Sequence, residues 1–518
     1  MPFPIIDLFA GPGGLAEGFS SLTNDRNERI FDIKLSIEKD AHAHQTLTLR
    51  SFVRQFPVDM LPDAYYRFLK KEISLEQLYE RYPEQYQEAT HEAWQATLGV
   101  TPEPELDQRI ADNLQGETNW VLIGGPPCQA YSLVGRSRVG GIDRDDKRVH
   151  LYKEYLRIIA RHKPAVFVME NVKGLLSAEI DGERIFTKIM EDLTQPATVF
   201  PQFEPPAYRI YSLVKEVVRH DSDYLIRSEE FGVPQRRHRV ILLGIREDIA
   251  AVPGTLEPAL RNSLRSVIGL LPPVRSGIYR EFLSSEMVTT EKGIKKKRNY
   301  ASLKDSFEGW SERVKTYAEE LITSFAELEY KFDFNPTLPE ITGRDYFEAA
   351  NTLAEDHPLY RWYHDDHLAA AIHHESRSHL TLDLKRYLFA ALYTRYFNKF
   401  PRMEDYRRFG KDLLPDHENA ESGKFNDRFR VQLPDEPATT VTSHISKDGH
   451  YFIHYDPAQC RSLTVREAAR IQTFPDNYYF CGSRTQQFHQ VGNAVPPYLA
   501  FQISEIVKNI LVQHNNPV

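Results

Sequence analysis

One cysteine, one glutamate and two arginines stand at the ends of apolar runs in this 518-residue chain, and their types suit a nucleophile beside a site for an anion or a carbonyl. Cys128 follows Gly124-Gly125-Pro126-Pro127 at the exit of the apolar run 120–123. The glycines release the backbone and the prolines fix φ, so the thiol sits on a rigid turn after a buried strand. Sheets of the α/β kind present ligands and reacting groups at that edge. Cysteine is more often buried and inert. Polar Gln129 and Ser132 after the Pro-Pro turn argue instead for a nucleophile. Glu170 leaves a second run, 165–169, and a carboxylate there faces the same edge. Arg237 and Arg239 precede a third run, 240–245. Strand alternation aims both to one side, where guanidiniums suit an anion or a carbonyl. They would also favour the thiolate of Cys128, since free cysteine has a pKa of about 8.5.

These groups need elements to hold them. Residues 4–9 read as a first strand, Ala10-Gly11-Pro12-Gly13-Gly14 as a glycine turn, and Leu15 onward as a helix. Such a turn lets backbone approach a ligand closely, and the helix start offers free N–H groups. A second strand, 33–37, ends at Glu38, whose carboxylate can accept from ribose hydroxyls. Together they suit a nucleoside-containing cofactor. Gly11-x-Gly13-x-x-Ala16 also satisfies a relaxed dinucleotide fingerprint, so NAD stays open at this point. Residues 41–113 read as a helical stretch rich in tyrosine and acid, packed outside the sheet. The loop 133–147 carries Gly135, Gly140 and Gly141 with Arg136, Arg138 and Arg144. It reads either as a basic lid over a polyanion or as a solvated loop.

Composition sets outer bounds. Charged residues are 26% and hydrophobic ones 41%, as in soluble globular proteins. No apolar run is long enough for a membrane span and no leader precedes the first strand, so a cytoplasmic protein is expected. Three scattered cysteines, Cys128, Cys460 and Cys481, give neither a disulfide framework nor a zinc quartet. No metal is expected. The net charge of −9 means that any nucleic-acid surface must be local.

Asp7-Leu-Phe-Ala-Gly-Pro-Gly-Gly14, Pro126-Pro-Cys-Gln129, Glu170-Asn-Val172 and Gln235-x-Arg237-x-Arg239 occur in that order. The run from Arg461 through Arg466, Glu467 and Arg470 to Gln472 and Pro475 follows, then Gln490-Val-Gly-Asn493-Ala-Val495-Pro-Pro497. The set resembles the ordered motifs of DNA (cytosine-5) methyltransferases of bacterial type, and it frames nearly the whole chain. The resemblance implies an α/β fold: a Rossmann-like class I S-adenosylmethionine-dependent methyltransferase domain with an inserted, smaller target-recognition domain. It implies S-adenosylmethionine as cofactor, with S-adenosylhomocysteine as product, against NAD. Phe9, Ala10, Gly11, Gly13, Gly14, Glu38 and Lys39 would hold the cofactor, with Asn493 and Val495 closing the pocket. Lys39 stands where the family often has an aromatic residue against adenine. An aspartate near the adenine amino group would be Asp107 or Asp112. Cys128 would be the nucleophile on C6 of cytosine, Glu170 the group at N3, Arg239 a donor to O2, and Arg237 a support. The target base would be flipped out of the duplex, because stacking covers C6.

The resemblance also divides the chain. Residues 1–246 with 485–518 would form the catalytic domain, with a helical insertion at about 51–118. Residues 247–484 would be the target-recognition domain. Within it, 261–304 holds ten Lys or Arg against three Glu, a local balance of +7, densest at Lys295, Lys296, Lys297 and Arg298. These, with Ser132, Arg136 and Arg138, are the DNA-binding candidates. Residues 311–330 and 365–398 read as amphipathic helices, the second bearing His373, His374, Arg377, His379, Lys385 and Arg386. The expected partner is double-stranded DNA, with a cognate restriction or defence nuclease in a restriction–modification or phage-defence setting, in a bacterial cytoplasm and on the nucleoid through DNA. A solitary regulatory enzyme fits equally. A tRNA cytosine-5 methyltransferase, a catalytically silent DNA-binding subunit and an NAD oxidoreductase remain alternatives. The long basic region favours DNA, the intact reactive residues favour catalysis, and NAD explains only the first turn.

Overall fold

The computed structural model describes residues 2–127, 147–180, 182–290, 293–350, 352–415 and 428–515, without the side chains of 147–150, 180, 290 and 293–295. Cys128, Ser132, Arg136 and Arg138 lie outside the described residues, as does the side chain of Lys295.

Eight strands build the sheet of the first unit: β1 (Phe3–Leu8), β2 (Phe31–Glu38), β3 (Ala93–Gln95), β4 (Val121–Gly124), β5 (Val166–Val172), β6 (Tyr208–Tyr211), β7 (Leu225–Arg227) and β8 (His238–Arg246). Their order is β3-β2-β1-β4-β5-β8-β6, with β7 also paired to β8. Neighbours from β3 to β5 are parallel, and β8 runs antiparallel to β5, β6 and β7. The central strands β1 and β4 are apolar apart from the buried Asp7, because helices cover both faces. On one face α1 (Gly14–Ser20) and the last helix pack over Ile5, Ile33, Ile123 and Val168. On the other, α2 (Ala41–Arg54) aside, α3 (Glu103–Leu114), α4 (Lys147–His162) and α5 (Ile185–Thr194) cover Ile6, Leu122 and Phe167. The chain is completed by α6 (Arg484–Asn493) and α7 (Pro497–Asn515). It moves outward from β1 to β2 and β3, then outward the other way from β4 to β5. The switch between β1 and β4 is where open α/β sheets bind ligands.

The structure corrects several expectations. The chain divides into Met1–Asn262 with Gln472–Val518, and Ser263–Ile471, rather than at 246/247 and 484/485. Ile249 and Leu256 are buried in the sheet's core, and Asn262 Nδ2 donates to Gly232 O at 2.6 Å. On the return, Phe474, Tyr478 and Phe480 pack on one another, and Cys481 N donates to Thr46 Oγ1 at 2.8 Å. Neither segment has a periodic pattern to betray it. The region 51–118 is not wholly a helical insertion either. Trp94 lies in β3, which pairs with β2, and Leu106, Ile110 and Leu114 of α3 belong to the core. A three-residue strand is too short to show alternation. The helices Asp63–Leu69, Leu75–Arg81 and Pro83–Glu92 are what this region adds beyond the sheet pattern.

The second unit, Ser263–Ile471, has its own core. The helices Phe307–Glu327 and Thr381–Phe397 bury Trp310, Val314, Leu321, Phe325, Leu384 and Phe389 together with Tyr406 and Phe409. Residues 365–398 are not one helix: strands Ala370–Glu375 and Ser378–Leu380 precede it. His373, His374 and His379 are buried strand residues rather than residues of an amphipathic helix. His373 Nδ1 lies 2.7 Å from Asp345 Oδ1, and His374 Nε2 lies 2.8 Å from Pro272 O. The segment 261–304 is chiefly an antiparallel hairpin, Gly277–Thr290 with Gly293–Ser302. Arg275, counted in its positive balance, is buried against Asp305.

Arg461-Ser-Leu-Thr464-Val-Arg466-Glu467 supplies the polar centre of this unit. Arg461 donates to both oxygens of Glu467, at 2.7 and 2.6 Å, and Thr464 N donates to Glu467 Oε2 at 2.7 Å. All three residues are shut from solvent.

Candidate active site

The turn after β1 is held from β2. Glu38 at the end of β2 accepts from Gly11 N at 2.9 Å with one oxygen and from Asp40 N at 2.8 Å with the other. Asp40 then caps α2, accepting from His42 N and Ala43 N. Phe9, Gly11 and Gly13 all have positive φ, 56°, 58° and 92°, so the chain leaves β1 through a left-handed turn. Glycine adopts that backbone without cost, while Phe9 is strained in it. A Cβ on Gly11 would meet nothing within 4 Å, whereas one on Gly14 would stand 2.3 Å from Val495 O. The turn is thus open above Gly11 and closed by Val495 beneath Gly14. Tyr478 donates its hydroxyl to Pro12 O on the same turn. Asp7, one pair before the turn, is fully buried, and burial holds its carboxyl well above the usual range.

At the neighbouring strand ends the reactive candidates meet. In the antiparallel pairing Ile241 faces Glu170 and Arg239 faces Val172, so Glu170 and Arg239 are diagonal neighbours on one face. Arg239 Nε lies 2.7 Å from Glu170 Oε1. The Nε–H is not aligned on that oxygen, so the contact is an ion pair rather than a directed hydrogen bond. Both side chains keep some exposure, 16% and 15%. Gly125 lies against the pair: a Cβ there would stand 2.8 Å from Glu170 Oε2. Cys128 follows three residues on, outside the described residues.

Arg237 has a different surrounding. It is buried and donates to Gly492 O at 3.3 Å. Burial, then the Arg239 charge, lowers its pKa well below the usual guanidinium value, against the pull of Glu170. Two residues that sequence reasoning passed over complete this contact. Buried Gln235 donates through Nε2 to Gln472 Oε1, and Gln472 Nε2 donates to Ala494 O at 2.5 Å. An amide ladder therefore joins the start of β8 to the Gly492–Val495 turn. Gln235 and Gln472 both lie inside motifs that resemble the family's, which was the available signal.

The remaining candidates are scattered. Asn493 is exposed at the end of α6, its Nδ2 3.2 Å from His489 Nδ1. Lys39 is exposed, and its carbonyl accepts from Gln95 Nε2 at 3.4 Å. Asp107 is not near the glycine turn. It accepts from Arg157 at 2.9 Å and lies 3.0 Å from His162 Nε2, on the α3–α4 surface that leads to the opposite edge of the sheet. Asp112 accepts from Gln108 on the exposed side of α3. The last residue of β3, Gln95, and Ala96 just after it are the ones beside Glu38: Ala96 N donates to Glu38 O at 3.2 Å. Lys296, Lys297 and Arg298 are exposed on the hairpin of the second unit. Among the described residues no cluster of His, Cys, Asp and Glu is placed to hold a metal, and no helix is long and apolar enough to cross a membrane.

A sequence profile of C-5 cytosine-specific DNA methylases matches residues 82–509. The chain belongs to this family. The methylase is 31% identical to the type II methyltransferase M.Bpa9945I of Bacillus paralicheniformis, over 99% of this chain and all of that one. It is 24% identical to type II methyltransferase M.DdeI of Desulfomicrobium norvegicum, over 97% and 87% of the two chains. A solved structure of a DNA modification methyltransferase encoded within a prophage in E. coli matches at TM-score 0.50 and 18% identity, covering 98% of this chain and 99% of that one, and it shares the fold. The methylase is thus a DNA (cytosine-5-)-methyltransferase with a Rossmann-like α/β sheet, of the kind found in type II systems and dependent on S-adenosylmethionine.

Proposed function

We propose that this enzyme methylates C5 of a flipped-out cytosine in one double-stranded sequence through a covalent Cys128–C6 adduct. The observation that carries the reading is the half-open Glu170–Arg239 pair beside Gly125, three residues before Cys128. The open left-handed turn at Gly11 and the strand-end carboxylate of Glu38 fit a nucleoside cofactor. S-adenosylmethionine, when bound there, supplies an electrophilic methyl group. Phe9, Ala10, Gly11, Gly13, Gly14 and Glu38 would hold it, with Lys39 at the rim and Asn493 and Val495 on the closing side.

The chain's own residues do the rest. Cytosine C5 is too weak a nucleophile by itself. The Cys128 thiolate adds to C6, and Glu170, once it has taken a proton from solvent, donates it at N3 as the ring's electrons shift, which leaves C5 nucleophilic. Arg239 donates to O2 and stabilises the charge that develops there. Arg237 keeps the Gly492–Val495 turn in place. Once C5 has taken the methyl group, a base removes the C5 proton, N3 returns its proton to Glu170, and the thiolate leaves C6. The second unit, with Lys295, Lys296, Lys297 and Arg298, holds the duplex; Ser132, Arg136 and Arg138 contact the strand near the flipped base. The setting is a type II restriction–modification system with a cognate nuclease.

A duplex carrying 5-fluorocytosine at the target tests the chemistry, because fluorine does not leave as a proton does. The wild-type enzyme and cofactor should form a denaturant-resistant complex, and Cys128→Ala should form none and transfer no methyl group. Turnover by Cys128→Ala would overturn the mechanism.

A further inference from the structure

We infer that the hairpin Gly277–Thr290/Gly293–Ser302 enters a DNA groove as a two-stranded ribbon, and that its two faces divide the work. The face with Lys296 and Arg298 reads base edges, and the face with Lys297 contacts phosphate. The inference rests on the reading that the second unit engages the duplex, and it adds which element and which side chains choose the sequence.

The root of the hairpin is fixed. Ile278 is buried, and its N–H donates to Asp305 Oδ1 at 2.9 Å. Arg275 clasps both oxygens of Asp305 at 2.9 Å, and Trp310 Nε1 donates to Ser276 Oγ at 2.9 Å. Gly277 to Arg280 pair with the strand Ser378–Leu380 as a third strand. Beyond this root, among the described residues, the ladder continues in two strands, from Arg280↔Ser302 to Thr290↔Gly293. Residues 283–287 and 296–298 are exposed, including Leu283 at 62% and Met287 at 64%. A two-stranded ribbon with both faces in solvent is marginal by itself. Large apolar side chains on such an arm suit contact with a partner.

Size and charge select the partner. Paired strands lie about 4.8 Å apart, and the B-DNA major groove, about 12 Å wide, admits a two-stranded ribbon. The strand Gly293–Ser302 carries Lys295, Lys296, Lys297 and Arg298 and no acid, in a chain of net charge −9. The arm is long enough, at about 3.3 Å per residue, to cross a groove.

The register then separates the four cations, which the sequence presents as one block. Lys297 is opposite Glu286, and Asn299 opposite Ser284. Lys297 Nζ lies 3.4 Å from Glu286 Oε1, and Asn299 Nδ2 donates to Ser284 Oγ at 3.3 Å. This face is tied to itself. Lys296 is opposite Met287, Arg298 opposite Ser285, and Tyr300 opposite Phe282 across the bulge at Leu283. That face combines two cations, a hydroxyl, a thioether and an edge-on aromatic pair with ring centroids 5.9 Å apart. Arginine's fork matches guanine O6 and N7, and apolar groups beside it suit the thymine methyl. A point contact from Lys297 suits phosphate, which positions without specifying.

Four variants test the division: Arg298→Ala, Arg298→Lys, Lys296→Ala and Lys297→Ala. All three positions are exposed, so thermal melts of the four variants should match wild type. Methylated sites are mapped by bisulfite sequencing of DNA from expressing cells, and duplex binding is measured against salt. Arg298→Ala should relax one base pair of the motif, with discrimination there falling about 5- to 150-fold. Arg298→Lys keeps the charge but loses the fork, so it should relax the same position with the salt slope of wild type. Lys296→Ala should relax a neighbouring position. Lys297→Ala should keep the motif and lower the slope of log K against log salt by about 0.9. If all four variants keep the motif and change only the slope, the ribbon is a backbone clamp and the inference fails. If neither motif nor binding changes while wild type methylates specifically, the ribbon serves a protein partner and the inference fails. Absence of 5-methylcytosine with the wild-type enzyme would instead overturn the functional reading.

Discussion

Two arginine–glutamate pairs in this protein look alike on paper and are built for opposite purposes. Arg461–Glu467, in the second unit, has both side chains 1% exposed, with two short donor contacts and a third from Thr464 N. The Arg461 charge and hydrogen bonds overcome burial and hold the Glu467 carboxyl far below the usual carboxylate range. Arg239–Glu170, at the sheet edge of the first unit, has one unaligned contact and side chains 16% and 15% exposed. The first pair has its hydrogen-bonding capacity turned inward. The second is joined by one unaligned contact and keeps part of each side chain exposed at a strand end, within reach of a pyrimidine edge. A charged pair that is fully satisfied organises a fold; one left half-satisfied at a strand end is available for substrate.

The sharpest way to break this contrast is to cut each pair. Glu467→Gln leaves Arg461 buried without its counter-charge. It should destabilise the second unit by about 3–5 kcal/mol, read by urea unfolding followed at its tryptophans Trp310 and Trp362. Acid should act the same way on wild type. His374 and His454, buried beside this pair, have pKa values lowered to about 4. The unfolded chain takes up protons at about pH 6.5, so their contribution is complete above that value and is lost as pH falls toward 4. Glu467, also depressed, adds its own loss below about pH 4.3. A stability profile that stays flat from pH 7 down through about 4.3 and below would show that the pair organises nothing.

Glu170→Gln should behave in the contrary way. The melting temperature should stay near wild type, because the pair is partly solvated and its loss uncovers no buried charge. The methyl-transfer rate should fall by a factor on the order of 10², about 2.7 kcal/mol of barrier. Single-turnover assays with excess enzyme read the rate directly. An unfolded variant, or one with normal turnover, would place Glu170 among the structural residues.

The same contrast explains what was legible in the sequence. Glu170, Arg237, Arg239 and the glycine turn stand at the ends of apolar strands of five or more residues, where periodicity marks both the element and its edge. Three-residue β3 has no period, so Trp94 and Gln95 read as part of a helical region. The strand Ala370–Glu375 preceding the helix Thr381–Phe397 was equally hidden, because its histidines are buried by partners far away in sequence, Asp345, Pro272 and Thr464. A histidine next to apolar residues has no local signature of burial. The basic run 295–298 was visible as charge, but its division into two faces depends on a pairing register that composition does not contain.

The smallest expected effect concerns the amide ladder that joins the two halves of the first unit's site. Gln472 accepts from Gln235 and donates to Ala494 O, and Val495 O lies against Gly14 at the open turn. Arg237 holds the same turn through Gly492 O. Gln472→Leu removes one donor and one acceptor of nearly equal bulk and leaves the Ala494 carbonyl without this partner, at a cost of about 1–3 kcal/mol. If the ladder presses the Gly492–Val495 turn onto the cofactor turn, the KM for S-adenosylmethionine should rise roughly tenfold with kcat little changed, since about 1.4 kcal/mol of binding is lost equally from ground and transition states. Gln472→Glu separates the two arms. It keeps an acceptor for Gln235 but cannot, as a carboxylate, donate to Ala494 O, so it should reproduce the rise in KM. A fall in kcat with an unchanged KM, in both variants, would mean that the ladder acts through Gln235 on the arginines of β8. The amide ladder would then belong with Glu170–Arg239 as part of the reacting edge, rather than with the cofactor turn.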